Sequence, residues 1–447
     1  MNRREEVFSV KGNSDYTIVL TRLQKELSQK LANRDITNIA KEELKKEIIN
    51  IIQNNHLKCD YTSDINVLAE RLYHDTSGWG FITLYDLLNQ DGMEEININS
   101  WNDVDIIING EMKKTSYSFL NPQQAIDIHK KMLNVSNTLL DESKPYALAD
   151  LGANIRIAVL MSPLVDDNVG IASSIRIVKN QTATKDYLIE NETLTEDMLE
   201  FLEQAALYGV SMVFAGETGA GKTYISGYIL SQAAKKRRTY TIEESSREWD
   251  FVDIDKDGKI KNSIVHTKTY EKENSREEDK VDQNKLLEFS LRFDPSIIGV
   301  GEMRSKEAYT ACEASNTGHT VISTTHSESP SDTPYRIMAL AKKAYDFSDS
   351  TLLEMITKAF PIIVYCEKLA DNSRKVTEIA EVLDYRNGEV KMQTLWRYKI
   401  KENVYSKNGI KTIGSYKREK KISSRLAQKM LKKGATKDCI KKFAEEE

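Results

Sequence analysis

The chain has 447 residues, and its 63 basic residues nearly balance 68 acidic ones, giving a formal net charge of −5. Hydrophobic residues make up 40% and charged residues 29%, a balance typical of folded domains that excludes a largely disordered chain. The small net charge argues against a protein that binds nucleic acid over its whole surface, and the length predicts two or three domains.

The N-terminal segment and the cysteines predict the compartment. The first residues, MNRREEVFSVKGNSDY, lack the apolar core of a signal peptide, and no apolar run approaches the length of a membrane span. The cysteines show neither metal-site spacing nor a redox pair, as expected in a reducing cytoplasm. They are Cys59, Cys312, Cys366 and Cys439. We therefore expect a cytoplasmic protein without a transmembrane segment. Any membrane association is expected to come through partner proteins or through a surface face.

The first part of the chain predicts helices followed by a mixed α/β domain. Apolar residues recur at three- and four-residue spacing from about Asp15 to Asn55, which indicates two amphipathic helices, and residues 1–75 are predicted as a helical region. Residues 76–180 are predicted as a small α/β domain, because an alternating segment there contains the hairpin signal Asn109-Gly110. Its other predicted elements are a helix at about Pro122–Asn134 and strands at Asn154–Met161 and Gly170–Val178.

The second half alternates apolar strands with helices, which predicts a mostly parallel sheet. A polar linker is expected at 181–194, and Thr195 is a suitable N-cap for the first helix of a domain at 195–400. The predicted strands are Ser211–Ala215, Thr239–Glu243, Ile297–Gly301, Thr320–Thr324 and Ile362–Cys366. The charged segment 253–285 is expected to be a surface excursion, and residues 401–447 a basic helical tail.

The segment GETGAGKT fits the phosphate-binding pattern G-x-x-x-x-G-K-[ST] in full, and it stands between an apolar strand and a helix as that motif requires. Its glycines allow successive backbone N–H groups to point at phosphate, next to the positive end of the following helix. Lys222 is expected to neutralise phosphate charge, and the Thr223 hydroxyl is expected to bind Mg²⁺. The residues expected to contact ATP are Gly216, Thr218, Gly219, Ala220, Gly221, Lys222 and Thr223.

Two further strands end in carboxylates. Glu243 and Glu244 end the strand-like run TYTIEE, at the edge where open α/β sheets bind ligands, so both are candidates for orienting water or holding Mg²⁺. The alternative is a solvated pair of acids on a loop. Glu302 ends the apolar run SIIGVGE in the manner of a Walker B acid, and we expect it to reach the metal ion and the attacking water.

Two histidines bracket the fourth predicted strand. His319 precedes it and His326 follows it, which places them too far apart for a simple metal pair. We interpret them as phosphate sensors or hydrogen-bond donors, and the alternative is that they are polar caps of the strand.

The order of these motifs resembles the type II/type IV secretion ATPases, in particular the branch of tight-adherence pili and type IV secretion. The resemblance covers about residues 65–400. The matching segments are Gly216–Thr223, TIEE at 241–244, LRFDPSIIGVGEMR at 291–304, NTGHTVISTTH at 316–326, LDESKP at 140–145, Arg156, SIRIVK at 174–179 and Arg374. Several segments in the family's order are more specific than the glycine-rich motif alone.

The resemblance implies an α/β fold, with a RecA-like P-loop ATPase domain on the C-terminal side, a smaller PAS-like domain before it, and extra N-terminal helices. It assigns Glu243 and Glu244 to an acidic box, Glu302 to the Walker B position, and His319 and His326 to a histidine box. It also implies a nucleotide between the two domains and a hexameric ring docked on an inner-membrane complex. The arginines matched to the nucleotide site are Arg156, Arg176, Arg292 and Arg304.

The leading hypothesis is an ATP-hydrolysing hexameric motor for protein secretion, type IV pilus assembly or conjugative transfer, with platform or channel proteins of the inner membrane as partners. A second hypothesis is a nucleotide-gated assembly scaffold with little hydrolysis. Its support is a departure from the family pattern, Asp294-Pro295-Ser296, which removes a positive charge. A third is a DNA-translocating motor, which the net negative charge disfavours, so nucleic acid is not an expected partner.

Overall fold

The computed structural model describes residues 14–30, 40–152, 155–177, 183–244, 248–270, 280–406 and 409–444. The chain divides into two compact units, Met1–Lys179 and Asn180–Glu447. Each unit has its own hydrophobic core and is described by itself.

The N-terminal unit begins with three helices, α1 (Ser14–Lys30), α2 (Lys41–Asn54) and α3 (Ile65–Thr76). The first two are those predicted by the helical periodicity, and their apolar faces share a core with α3 that includes Leu23, Ile48 and Leu72. Inside this bundle, the Asp75 carboxylate accepts hydrogen bonds from the Tyr16 hydroxyl at 2.7 Å and from Arg71 Nε at 2.8 Å. The buried charges of Arg71 and Asp75 are therefore paired, as burial requires.

The rest of this unit is a six-stranded antiparallel sheet with a helix packed on it. Among the described residues the strand order is β3-β2-β1-β6-β5-β4. The elements are α4 (Phe81–Leu84), β1 (Met93–Ser100), β2 (Asp103–Ile108), β3 (Glu111–Lys114), α5 (Pro122–Asn134), β4 (Tyr146–Asp150), β5 (Ile155–Met161) and β6 (Ile171–Ile177). Asn109 and Gly110 have the positive φ values of a tight hairpin turn between β2 and β3, as their sequence predicts.

The C-terminal unit is built around a parallel sheet. Its described elements up to the last parallel strand are α6 (Lys185–Glu190), α7 (Glu196–Leu207), β7 (Met212–Gly216), α8 (Lys222–Ala234), β8 (Thr239–Glu243), β9 (Ile264–Lys268), α9 (Gln283–Ser290), β10 (Ile297–Val300), α10 (Glu307–Asn316), β11 (Thr320–Thr325), α11 (Thr333–Ala341), α12 (Asp349–Ala359) and β12 (Ile362–Lys368). The parallel order is β12-β7-β11-β10-β8-β9. The five predicted strands are all present, and the α/β fold class with a RecA-like domain is confirmed.

The sheet continues from β12 into three antiparallel strands, β13 (Arg374–Arg386), β14 (Glu389–Ser406) and β15 (Gly409–Arg418), followed by α13 (Ser424–Lys432) and α14 (Lys437–Phe443). The predicted boundary at residue 400 therefore falls inside a strand, and residues 401–447 are not a separate tail. The two last helices share the core of α7 and α8 through Leu426, Met430 and Phe443. The buried carboxylate of Glu381 accepts a hydrogen bond from the Ser423 backbone N–H at 2.9 Å, which fixes the start of α13.

Two other predicted segments also differ from the structure. The described part of the predicted linker, from residue 183, contains α6, whose Leu188 is fully buried in the core of the C-terminal unit. The Thr193 carbonyl after it accepts a hydrogen bond from Val376 on β13 at 2.8 Å. The predicted excursion at 253–285 includes β9, because Thr239–Glu243 offers a free parallel edge with which Ile264–Lys268 pairs.

Candidate functional site

The glycine-rich loop joins β7 to α8 in a backbone conformation that depends on its glycines. Gly216 has φ of 137°, and a Cβ there would lie 2.0 Å from a backbone carbonyl oxygen of β12. Gly219 and Gly221 have φ of 78° and 86°, values that favour glycine. Thr218 is exposed and Ala220 is buried. The loop therefore has the shape that its sequence predicts, with the N-terminal end of α8 at its base.

The side chain of Lys222 folds back over this loop. Its Nζ donates hydrogen bonds to the carbonyl oxygens of Gly216 at 3.0 Å and Glu217 at 2.7 Å, and it lies 3.4 Å from His326 Nδ1. Only 7% of the residue is exposed, and burial lowers the pKa of the Lys222 ammonium. The cation is thus held at the point where the glycine-rich loop enters the helix.

An acidic group faces Lys222 from the end of β10. One Glu302 oxygen lies 3.1 Å from His326 Nε2, and the other accepts a hydrogen bond from Arg304 at 2.7 Å. Arg304 also donates to Glu244 at 2.7 Å, and its bond to Glu302 raises the pKa of the guanidinium. Lys222, His326, Glu302, Arg304 and Glu244 therefore form one continuous polar chain across the carboxyl ends of β7, β11, β10 and β8. We call it the polar chain.

His326 is the link between the cationic and anionic halves of the polar chain. Burial and the nearby Lys222 charge lower the pKa of this imidazole, although Glu302 opposes the effect. The neutral ring therefore predominates near neutral pH. With its hydrogen on Nε2, it donates to Glu302 and accepts from Lys222 at Nδ1, which matches both distances.

The two acids after β8 have different surroundings. Glu243 is buried, and its carboxylate accepts hydrogen bonds from the backbone N–H groups of Glu248 at 2.7 Å and Trp249 at 3.1 Å. Glu244 instead bonds to Arg304 and accepts from Gln283 Nε2 at 3.1 Å. The structure thus separates the pair that the sequence treats alike: Glu243 bonds to the loop after β8, and Glu244 belongs to the polar chain.

Two predicted site residues lie at the opposite end of the sheet. His319 precedes β11, which places it about 20 Å from His326 along the strand. Arg292 is exposed and precedes β10. In a parallel sheet the residues before the strands lie at one edge and those after the strands lie at the other. The prediction that these two residues lie beside the glycine-rich loop of the same unit is therefore corrected. His319 Nδ1 instead lies 3.2 Å from the Ala314 carbonyl oxygen, within hydrogen-bonding distance.

Arg156 and Arg176 belong to the N-terminal unit. They are directly paired on the neighbouring antiparallel strands β5 and β6, so their side chains leave the sheet on the same face. On the adjoining strands, Asp150 pairs with Arg156 and Glu95 pairs with Arg176. Their role at a nucleotide stays a prediction.

Other residues contact this region that the sequence did not assign to it. Arg374 was noted only as a family match, yet its Nε donates to the Gly219 carbonyl at 2.8 Å. Glu307 is buried and accepts hydrogen bonds from the backbone N–H groups of Arg304 and Ser305, so the start of α10 fixes the loop after Glu302. An acid in the first helical turn was the available signal for Glu307. No local signal places Arg374, because β12 and β13 must first pair.

The residues at this edge fit Mg²⁺, judged by the chemistry of their donor atoms. The part of the chain that the structure describes contains no group of three or more His, Cys, Asp or Glu side chains arranged to hold a metal alone. Mg²⁺ in nucleotide sites typically takes one or two protein oxygens together with phosphate oxygens. The Thr223 hydroxyl, in the first turn of α8, and the Glu302 carboxylate are donors of this type.

The strand order and the glycine-rich loop define the C-terminal unit as a RecA-like P-loop domain. The chain belongs to the type II/IV secretion system protein family, which it matches over residues 148–445. This match includes the C-terminal helices, beyond the end at residue 400 expected from the sequence motifs.

Two curated relatives and two solved structures illustrate the similarity. The chain is 27% identical over 252 residues to the conjugal transfer protein TrbB of Rhizobium radiobacter, across 55% of this chain and 71% of TrbB. It is 27% identical over 190 residues to the protein VirB11 of the same organism, across 42% and 51% of the two chains. Two solved structures are similar at 18% identity. They are the ATPase DotB of Legionella pneumophila, with a TM-score of 0.46 over 66% of this chain and 77% of DotB, and the pilus retraction motor PilT with bound ADP, with a TM-score of 0.45 over 70% and 81%.

Proposed function

We propose that this protein is an ATP-hydrolysing motor subunit that works as a homo-oligomer, most simply a hexamer, in a secretion, pilus or conjugation machine. The observation that carries the proposal is the polar chain next to the glycine-rich loop. Beside the glycine-rich loop, whose backbone is suited to phosphate, the polar chain contains a buried lysine and a glutamate at the Walker B position. It also contains the histidine between them, the arginine that bonds to this glutamate, and Glu244. Family membership supports the same field of function.

In this mechanism the loop and the first turn of α8 bind the β- and γ-phosphates through backbone N–H groups. The Lys222 ammonium leaves the loop carbonyls that it contacts and turns to the phosphate oxygens. Thr223 and Glu302 would hold Mg²⁺, which supplies charge neutralisation at the phosphates. Because Glu302 already bonds to His326 and Arg304, its carboxylate is held at the sheet edge with little freedom to turn.

Hydrolysis then requires a water molecule in line with the bond between the γ-phosphorus and the bridging oxygen to ADP. Glu302 orients that water and accepts its proton as the new oxygen–phosphorus bond forms and the bond to ADP breaks. Arg304 is half exposed at this edge, and it is positioned to offset the charge that develops on the transferred phosphoryl group. His326 senses phosphate through its contacts with Lys222 and Glu302.

The motor hypothesis requires ATP hydrolysis, whereas the scaffold hypothesis requires ATP binding with little hydrolysis. The scaffold was supported by Asp294, but this residue is exposed and lies before β10, at the edge opposite the polar chain. Lys222, Thr223 and Glu302 are all present at the other edge, which favours the motor.

We place this motor at the cytoplasmic side of an inner membrane, bound there by platform or channel proteins. Across the described residues, no helix combines the length and apolar character needed to span a bilayer. The alternative is a conjugation motor that binds DNA directly. Salt-dependent DNA binding by the assembled protein would support that alternative.

The test is steady-state ATPase activity measured against protein concentration, with light scattering in the presence of ATP and Mg²⁺. We expect turnover per subunit to rise as a six-subunit species appears. A protein that binds ATP and assembles without turnover would favour the scaffold. A protein that does not bind ATP would exclude both hypotheses.

A further inference from the structure

Trp249 contacts three elements around the glycine-rich loop, and none of the functions assigned above uses it. The residue follows β8 and is 3% exposed. Its backbone N–H donates to the buried Glu243 carboxylate at 3.1 Å, and its indole Nε1–H donates to the Thr223 carbonyl oxygen at 3.2 Å. One residue thus connects the acid that ends β8 to the first turn of α8.

Two glycines make room for this indole. A Cβ on Gly227, in the interior of α8, would lie 2.9 Å from Trp249 Nε1, and a Cβ on Gly299, in β10, would lie 3.1 Å from the ring. Glycine is unfavourable inside a helix or a strand. The close approach of the ring explains Gly227, whereas at Gly299 the ring and Leu230, whose Cδ1 would lie 3.0 Å from the Cβ, both require the glycine. The indole therefore packs closely against α8 and against β10.

We propose that Trp249 is a positioning residue for the phosphate-binding turn. The peptide group that carries the Thr223 carbonyl also carries the Tyr224 N–H, one of the first-turn donors without an intrahelical acceptor. The indole bond to that carbonyl therefore fixes the orientation of a donor that faces phosphate. It also fixes the backbone from which the Thr223 hydroxyl extends. The inference rests on the proposed function, because it assigns that turn to Mg²⁺-nucleotide.

Glu243 receives a role through the same arrangement. Its buried carboxylate accepts the backbone N–H groups of Glu248 and Trp249, so it anchors the segment that carries the indole. In this arrangement Glu243 acts on the site through Trp249, whereas Glu302 and Arg304 face the reacting groups.

The test compares two buried tryptophans of the C-terminal unit. Trp249→Phe keeps most of the apolar ring but removes the N–H, and Trp396→Phe makes the same change on β14, where the ring packs against Phe201. Calorimetric titration with ADP, with Mg²⁺ and with EDTA, gives the affinity gained from Mg²⁺. We expect Trp249→Phe to weaken Mg²⁺-ADP binding on the order of fivefold, the effect of one hydrogen bond, and to reduce the gain from Mg²⁺. Trp396→Phe should change neither.

A second measurement separates this inference from the proposed function. Amide hydrogen exchange in the nucleotide-free protein should become faster in the second turn of α8, whose N–H groups bond to the first-turn carbonyls, in Trp249→Phe and not in Trp396→Phe. Equal exchange and equal Mg²⁺ linkage in the two variants would overturn the positioning role while leaving ATP binding intact. If the wild type bound no nucleotide, the proposed function would fall, and with it the assignment of the turn to Mg²⁺-nucleotide. Should Trp249→Phe fold poorly, Gly227→Ala displaces the ring instead, and the same loss of Mg²⁺ linkage is expected.

Discussion

The polar chain runs from the buried Lys222 through the His326 imidazole, Glu302 and Arg304 to Glu244. Because each member bonds to the next, the charge of one side chain sets the orientation of its neighbours. Lys222 is the member nearest the loop backbone, and Glu302 is the member with a bond on each carboxylate oxygen. Substitutions at these two positions therefore separate binding from turnover.

Lys222→Ala removes the ammonium that is expected to meet the phosphates. We expect ATP affinity to fall by at least tenfold, because a charge-assisted contact contributes roughly 1.5–3 kcal/mol. Lys235→Ala serves as the control, since Lys235 is exposed at the far end of the same helix. Fluorescent-nucleotide titration measures both, and equal losses in the two variants would contradict the assignment.

Glu302→Gln keeps the size of the side chain and removes the base. We expect ATP to remain bound while kcat falls by roughly 10²–10⁴-fold, the usual contribution of a positioned acid or base. Glu244→Gln, on the other side of Arg304, should reduce kcat much less. Release of phosphate under saturating ATP is the measurement, and turnover at the wild-type rate in Glu302→Gln would remove Glu302 from the mechanism.

A histidine outside the site makes stability depend on pH. His129 is fully buried on α5, and burial lowers its pKa to about 4. Below its usual pKa of about 6.5 the unfolded chain takes up a proton that the folded chain does not, so stability is lost as pH falls from about 6.5 towards 4. The loss reaches about 3 kcal/mol.

Thermal melts at pH 7 and pH 5 measure this effect. The wild type should lose more stability on acidification than His129→Gln, which cannot take up that proton. Its amide can still replace one of the two ring contacts, with the Ala125 carbonyl or with the Ser173 hydroxyl. An identical pH dependence in both proteins would show that His129 is not the responsible group.

At the scale of elements, the antiparallel strands and the last two helices are part of the P-loop unit. β13 begins at Arg374, which bonds to the loop, and continues to Glu381, which anchors α13. The glycine-rich loop and the C-terminal helices are therefore joined by one strand.

Replacing a core residue of α13 tests whether these helices contribute to the unit. Met430→Ala removes a fully buried side chain, and we expect a loss of about 2–5 kcal/mol in the free energy of unfolding. Leu431→Ala, at the neighbouring exposed position, should cost much less. Urea unfolding followed by tryptophan emission compares the two, and equal costs would mean that the helix does not pack as described.

The elements that the sequence predicted well are those with a local signal. The buried parallel strands are continuous apolar runs, and the glycine-rich loop is a pattern of adjacent residues, so both were found to within one or two residues. The predicted tail failed because most of β14 is polar and exposed. Likewise, the sequence of α13 predicts an apolar face but does not indicate that this face packs against α7 and α8. The short strand β4 gave no signal strong enough to be assigned.

The errors within the site have a different origin. The family resemblance grouped His319 and Arg292 with Glu302 and His326, yet each of the two stands before its strand rather than after it. Arg374 and Trp249 were not assigned because their contacts join residues that are far apart along the chain.

At the scale of the whole molecule, some predictions concern one unit alone and others concern more than one unit. The C-terminal unit contains the complete polar chain, so the proposed roles of Lys222 and Glu302 in phosphate binding can be tested on residues of one compact unit. The proposed dependence of turnover on assembly, and the predicted role of Arg156 and Arg176 at the nucleotide, would involve more than one unit. They are therefore tested by measuring ATPase activity against protein concentration, and not by nucleotide titration of single variants.

The first glycine of the loop has an evolutionary consequence. A side chain at Gly216 would collide with the Cys366 carbonyl at 2.0 Å, so this position is constrained by the adjoining strand whether or not ATP is hydrolysed. Glu217 and Thr218 are exposed and free of that constraint. In a lineage that lost hydrolysis, substitutions at the positions equivalent to Glu302 and Lys222 would be tolerated early. The glycine would be conserved as long as the sheet is, because its absence of a side chain is required by packing against β12 and not by catalysis.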